Sequence, residues 1–154
     1  LNMKKLIILF FMIYSNNIVS QNISEIRALY FNTTDNISKC NSLKTLLNSI
    51  ENKNNIINAY IGANTLLYCK YFNNSFKKYS YFKEGKKMIE EAIKLDPDNL
   101  EIKFLKLINQ TNAPWFLNYK NNIKDDYKFI SSNLNLISDE SFKRIILETL
   151  KTYK

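Results

Sequence analysis

Apolar side chains recur along this chain in steps of three and four. Residues 38–51 carry Cys40, Leu43, Leu46, Leu47 and Ile50, a stripe that would line one face of a helix. Residues 55–72 follow with Ile56, Ala59, Tyr60, Ala63, Leu67 and Phe72, and residues 79–95 with Tyr81, Phe82, Gly85, Met88, Ile89, Ala92, Ile93 and Leu95. Shorter stripes predict helices over 23–31, 99–111, 121–133 and 138–151. Between them lie breaks: the polar turn "ENKNN" at 51–55, a loop "NNSF" at 73–76, and Asp96-Pro97-Asp98-Asn99. Proline disfavours helix at the residue before it, so Pro97 and Pro114 each end a segment. Ser138, with Glu140 or Ser141 nearby, suits the start of the last helix. No alternating stretch is long enough for a sheet. The pattern predicts an all-α single domain of antiparallel helical hairpins.

One apolar run lacks this periodicity. After Met3, Lys4 and Lys5 precede nine unbroken apolar residues, Leu6 to Tyr14, and Asn16, Asn17 and Ser20 follow. That is the layout of a cleavable signal peptide, and the run is shorter than the ~20 residues a bilayer span needs. The expected organisation is a signal peptide at 1–20 and a helical domain at 21–154, exported and with no stable membrane span after cleavage. Ile18 is larger than the usual residue before such a cut, so the signal is better defined than its cleavage point.

Composition narrows the picture. Two glycines and two prolines in 154 residues are too few for the tight turns of an all-β fold. Asn, Ile and Lys share AT-rich codons, so their abundance reflects the coding bias of a genome as much as chemistry. The net charge of +8 comes from 20 Lys and 2 Arg against 14 acids, and the lysines are scattered. Base and phosphate recognition favours the bidentate fork of Arg. The charge therefore reads as a solvated surface, with no nucleic-acid partner.

Two resemblances follow from short segments. "YFKEGKKMIEEAIKLDPDNLEIKFLKL" (81–107) resembles the second half of a tetratricopeptide (TPR-like) unit running into the next. Gly85, Ile89, Ala92 and Pro97 fall where that repeat places a small, a large, a small and a turn residue. Lys103 stands near where the next unit would want an aromatic, and no second copy recurs after about 34 residues. More widely, "AYIGA" (59–63), "FKKYSYFKEG" (76–85), "AIKLDPDNLEIKFLKL" (92–107) and "QTNAPWFLNY" (110–119), with Asp126, resemble a family of uncharacterised exported proteins of Gram-negative bacteria. Where that family tends to have a glycine before the tyrosine, this chain has Asn118, which tolerates positive φ. Where it tends to have arginines, this chain has Lys103 and Lys106, weaker partners for a carboxylate. The resemblance implies an export signal, a periplasmic or secreted location, and an α-helical, TPR-like or α-solenoid-like domain. It implies no particular activity.

The chemistry available is limited. With no histidine, Ser-His-Asp and Cys-His sites and most zinc and haem ligation are out of reach. Two glycines cannot build a phosphate loop. No cofactor, metal or catalytic residue is expected. The pairs Glu90/Glu91 and Asp125/Asp126 point about 100° apart on a helix, unlike a glycosidase pair. Glu101 stands near Lys103 and Lys106, potential ion-pair partners, and near a helix start that suits its charge.

Two constellations stay open. Cys40 and Cys69 lie nearly equidistant from the 51–55 turn, so a hairpin would bring them level. In an oxidising compartment they are either a disulfide or two small buried hydrophobes. Ala59 and Gly62, in line with Cys69, would let those helices approach. The second constellation is the bend after helix 99–111, where Gln110, Asn112, Trp115, Tyr119 and Asp126 gather. They form either a polar ligand corner with Trp115 as a stacking platform, or helix-end amides and rings filling a bend. The function expected is a non-catalytic interaction or scaffold module of the cell envelope, with a protein or peptide partner. The alternative is a periplasmic ligand binder or minor enzyme using the 110–126 corner.

Overall fold

The computed structural model describes residues 23–32 and 36–153. The expected signal peptide lies outside the described residues. Among these, the chain forms seven α-helices and no strand. They are α1 (23–31), α2 (Ile37–Ser49), α3 (Asn55–Tyr68), α4 (Ser75–Leu95), α5 (Leu100–Asn112), α6 (Ile123–Ser132) and α7 (Glu140–Lys151). Short 3-10 turns occupy Cys69–Tyr71, Trp115–Leu117 and Leu134–Leu136. None of the described helices is long and apolar enough to cross a membrane.

Asparagine starts most of these helices. The side chains of Asn36, Asn54, Asn74 and Asn99 each accept a backbone N–H in the first turn of the helix that follows. Such caps satisfy donors that a helix end otherwise leaves free. A residue abundant for compositional reasons thus has structural work here. Asn74 also corrects the predicted loop at 73–76: α4 begins at Ser75, four residues before its apolar stripe. At α7 the cap is Asp139, accepting from the Phe142 N–H, rather than Ser138.

The core is in two main parts, and α5 stands between them. Ile102 and Leu105 of α5 join a cluster with Ile26, Tyr30, Leu43, Leu47, Tyr60, Ala63 and Ile89. Leu100, Phe104 and Leu107 join another with Ile130, Phe142, Ile146 and Leu150. A helix apolar on two sides is a buried helix. The chain's only two glycines meet where α3 crosses α4. The small-residue line on α3 therefore serves α4, and not the α2 contact that the cysteine spacing suggested.

Candidate functional site

The corner after α5 is set by backbone chemistry. Pro114 ends the helix in extended conformation (φ −55°, ψ 142°), and Trp115–Leu117 make one 3-10 turn. Asn118 then takes the left-handed region, at φ 47°. Asn122 does so again, at φ 63°, just before α6. Asparagine is the non-glycine residue best suited to that region.

This turn sends the expected corner residues in two directions. Gln110, Tyr119 and Asp126 go inside, at 1%, 2% and 5% exposure. Gln110 Nε2 donates to the Asn121 carbonyl at 2.8 Å, pinning the returning segment of the corner to α5. Tyr119 packs edge-on to Phe82 (ring centroids 5.7 Å apart), with Lys86 Nζ 4.9 Å from its ring centre. Burial, with Glu90 and Asp126 nearby, raises the Tyr119 phenol far above its ordinary pKa. Neither the Tyr119 hydroxyl nor Gln110 Oε1 meets a hydrogen-bond partner among the described residues. Trp115 and Asn112 stay outside: Trp115 is 82% exposed, and the Asn112 amide donates back to the Ile108 carbonyl. The indole fills no part of the corner, where Tyr119 sits instead.

The buried charges pair differently from the expectation for Glu101. Lys106 Nζ lies 3.0 Å from Asp126 Oδ2 and Lys103 Nζ 3.7 Å from Oδ1, so both lysines belong to Asp126 and join α5 to α6. Glu101 turns the other way. It accepts Arg27 Nε at 2.8 Å and Nη2 at 2.6 Å, and the Tyr60 hydroxyl at 2.7 Å. Arg27 Nη1 reaches Asp139 Oδ2 at 2.8 Å, and the guanidinium lies 4.2 Å from the Phe142 ring centre. One arginine therefore binds α1 to α5 and to the start of α7. Burial, then Glu101, raises the Tyr60 phenol well above its usual value.

Cys40 and Cys69 are free thiols in the structure. Asn64, not Cys69, is level with Cys40, and its amide donates to the Cys40 carbonyl at 3.1 Å. Residues 40 and 64 are centred on 52, the middle of the actual turn. Cys40 faces Tyr71, and Cys69 Sγ lies 3.4 Å from the Lys78 carbonyl. Burial raises both thiols.

A large concavity lies beside the corner. It is a groove of about 720 Å³ between the ends of α1, α3 and α5 and the beginning of α4. Tyr30, Phe31, Leu66, Leu67, Phe82 and Ile108 are among its walls, and Ala113, Pro114, Phe116 and Leu117 of the corner close one side. Ser75, Lys78, Tyr79 and Phe82 present one continuous face of α4 to it, at the spacing expected of a helix stripe. Phe76, Tyr79, Trp115 and Phe116 stand exposed on the segments that border it. Of the five corner residues, only Asn112 lines this groove. A smaller polar hollow of about 170 Å³ lies between α2, α3 and α4.

The groove was hidden in the sequence because it is built from helix ends. Its one sequence signal is that apolar residues continue on α4 ahead of Phe82, to Tyr79 and Phe76. Comparison with protein-family models, with curated proteins and with solved structures found no match.

Proposed function

We propose that this protein is a non-catalytic interaction module of the cell envelope, exported by its N-terminal segment, that holds an apolar segment of a partner protein in the groove beside residues 112–117. The observation that carries the reading is an apolar concavity of about 720 Å³ continued by exposed aromatic side chains. Its volume falls in the range of about 300–1,000 Å³ usual for binding sites. Exposed apolar surface that continues past a cavity favours a partner larger than the cavity. Grooves between helix ends take apolar side chains projected from a partner helix. A TPR-like arrangement is consistent with two features: small residues where α3 meets α4, and Pro97 in the turn after α4.

A photo-crosslinking residue placed at Phe116, in the cell that makes the protein, tests the reading. The expected result is one dominant crosslinked protein, lost when Leu67→Asp blocks the groove. The Leu67→Asp protein must keep the helical content of the unaltered one. A crosslink pattern that is diffuse, or indifferent to Leu67→Asp, contradicts the reading.

A further inference from the structure

The groove is not electrically uniform. Among the described residues, seventeen line it, including Lys70 and Lys78 and no Asp or Glu. Both lysines lie toward the mouth of the α3–α4 connection, beside Ser75, the first residue of the 21-residue α4. No carboxylate pairs with Lys78 among the described residues; its carbonyl accepts from Cys69 Sγ at 3.4 Å. The first turn of α4 contains no acidic residue to offset the positive end of the helix dipole. One end of the groove is therefore cationic from two independent sources, a lysine side chain and a helix N-terminus. The body, formed by Leu66, Leu67, Phe82, Ile108 and Leu117, is apolar.

Resting on the groove reading above, we infer that the partner segment is an amphipathic helix with acidic residues beside its apolar anchors. Large apolar side chains fill the body of the groove, and Glu or Asp side chains reach Lys78 and the start of α4. A cationic flank would face the lysines and the helix dipole with like charge, which is the repulsion that sets specificity at interfaces.

Two synthetic helical peptides test this. They share the same Leu and Phe anchors and differ only in flanks of Glu or of Lys. Trp115, the chain's only tryptophan, borders the groove, packed edge-on to Phe116 at 6.2 Å, and its fluorescence reports binding. The Glu-flanked peptide is expected to bind about tenfold more tightly at low salt, a few surface charge contacts being enough for that. The margin should shrink as salt screens it. Lys78→Gln should reduce the margin and Lys78→Glu should reverse it. Equal binding of both peptides overturns the acidic preference and leaves the groove reading standing. Binding of neither removes the groove reading as well. A groove filled by a long-chain fatty acid in preference to either peptide marks a lipid site and overturns the proposal.

Discussion

Gly62 of α3 and Gly85 of α4 face each other with no room for a side chain on either. A Cβ on Gly85 would stand 2.6 Å from the Gly62 carbonyl oxygen, and one on Gly62 would stand 2.8 Å from the Gly85 carbonyl oxygen. The obstruction is backbone, so it cannot swing aside as a flexible side chain would. Alanine within a helix ordinarily stabilises by about 0.5–1 kcal/mol over glycine. Forcing two packed helices apart costs more, about 1–3 kcal/mol for overpacking of this kind. Gly85→Ala is therefore expected to lower unfolding free energy in urea by about 1–2 kcal/mol, against the sign of helix propensity. It should also disturb the groove, because α4 carries one of its walls.

The Arg27–Glu101 pair joins α1 to α5 with a bidentate contact inside the protein. Removing one partner of such a pair leaves the other charge without compensation, typically about 3–5 kcal/mol. Glu101→Gln should fall near the lower end, about 3 kcal/mol, because Arg27 keeps Asp139 and is partly open to water. Arg27→Met with Glu101→Leu should recover most of the loss. Denaturant melts of the unaltered protein and the two variants decide it: a double variant as unstable as Glu101→Gln contradicts the pairing.

Stability should decline at both ends of the pH range. Burial raises Tyr30 from 10.0 to about 12 and pushes Tyr60 well above 10.0. The folded state resists their ionisation, so this contribution is complete below pH 10.0 and is lost as pH rises through the raised values. Tyrosinate absorbance for these residues should appear together with the loss of helix signal. At the acid end, the Phe142 N–H and then Arg27 hold Asp139 below its ordinary 3.8. That stabilisation is present above pH 3.8 and disappears as pH falls through the lowered value.

Trp115 and Tyr119 should respond in opposite ways to expectations based on their size and surroundings. Trp115→Ala removes the largest side chain of the corner yet should change stability by less than about 0.5 kcal/mol, because the indole is exposed. Tyr119→Phe removes a buried hydroxyl that has no partner among the described residues, and should be neutral or slightly stabilising. Tyr119→Ala, which empties the space between Phe82 and the corner, should cost about 3–5 kcal/mol. Thermal melts of the three variants check this order.

Much of the fold was legible because burial imposes the helical period. The segments at 38–51, 55–72 and 79–95 foretold α2, α3 and α4 to within a few residues. The breaks at Pro97 and Pro114 followed from backbone sterics. What the period cannot show is which helix a face meets. Gly62 reads equally well as a contact for α2 or α4. Glu101 has two lysines close in sequence, but its partner lies 74 residues away in α1. The five-residue corner mixed two populations for the same reason: Gln110, Tyr119 and Asp126 turn inward while Asn112 and Trp115 turn out. The start of α4 was missed because a single capping side chain, Asn74, defines it, and only Phe76 carries the apolar pattern that far.

Cys69 gives the most direct test of the groove. It lines the concavity, whereas Cys40 is wholly buried, so in the reduced protein alkylation of the more accessible thiol reports on the groove alone. The measurement is the alkylation rate of Cys69 with and without saturating Glu-flanked peptide, each modified thiol located by mass spectrometry. Occupation of the groove predicts that the peptide slows Cys69 in proportion to the fraction bound, and that Leu67→Asp abolishes the protection. Full binding of the peptide with an unchanged Cys69 rate would place it elsewhere and contradict the assignment of this groove as the docking site.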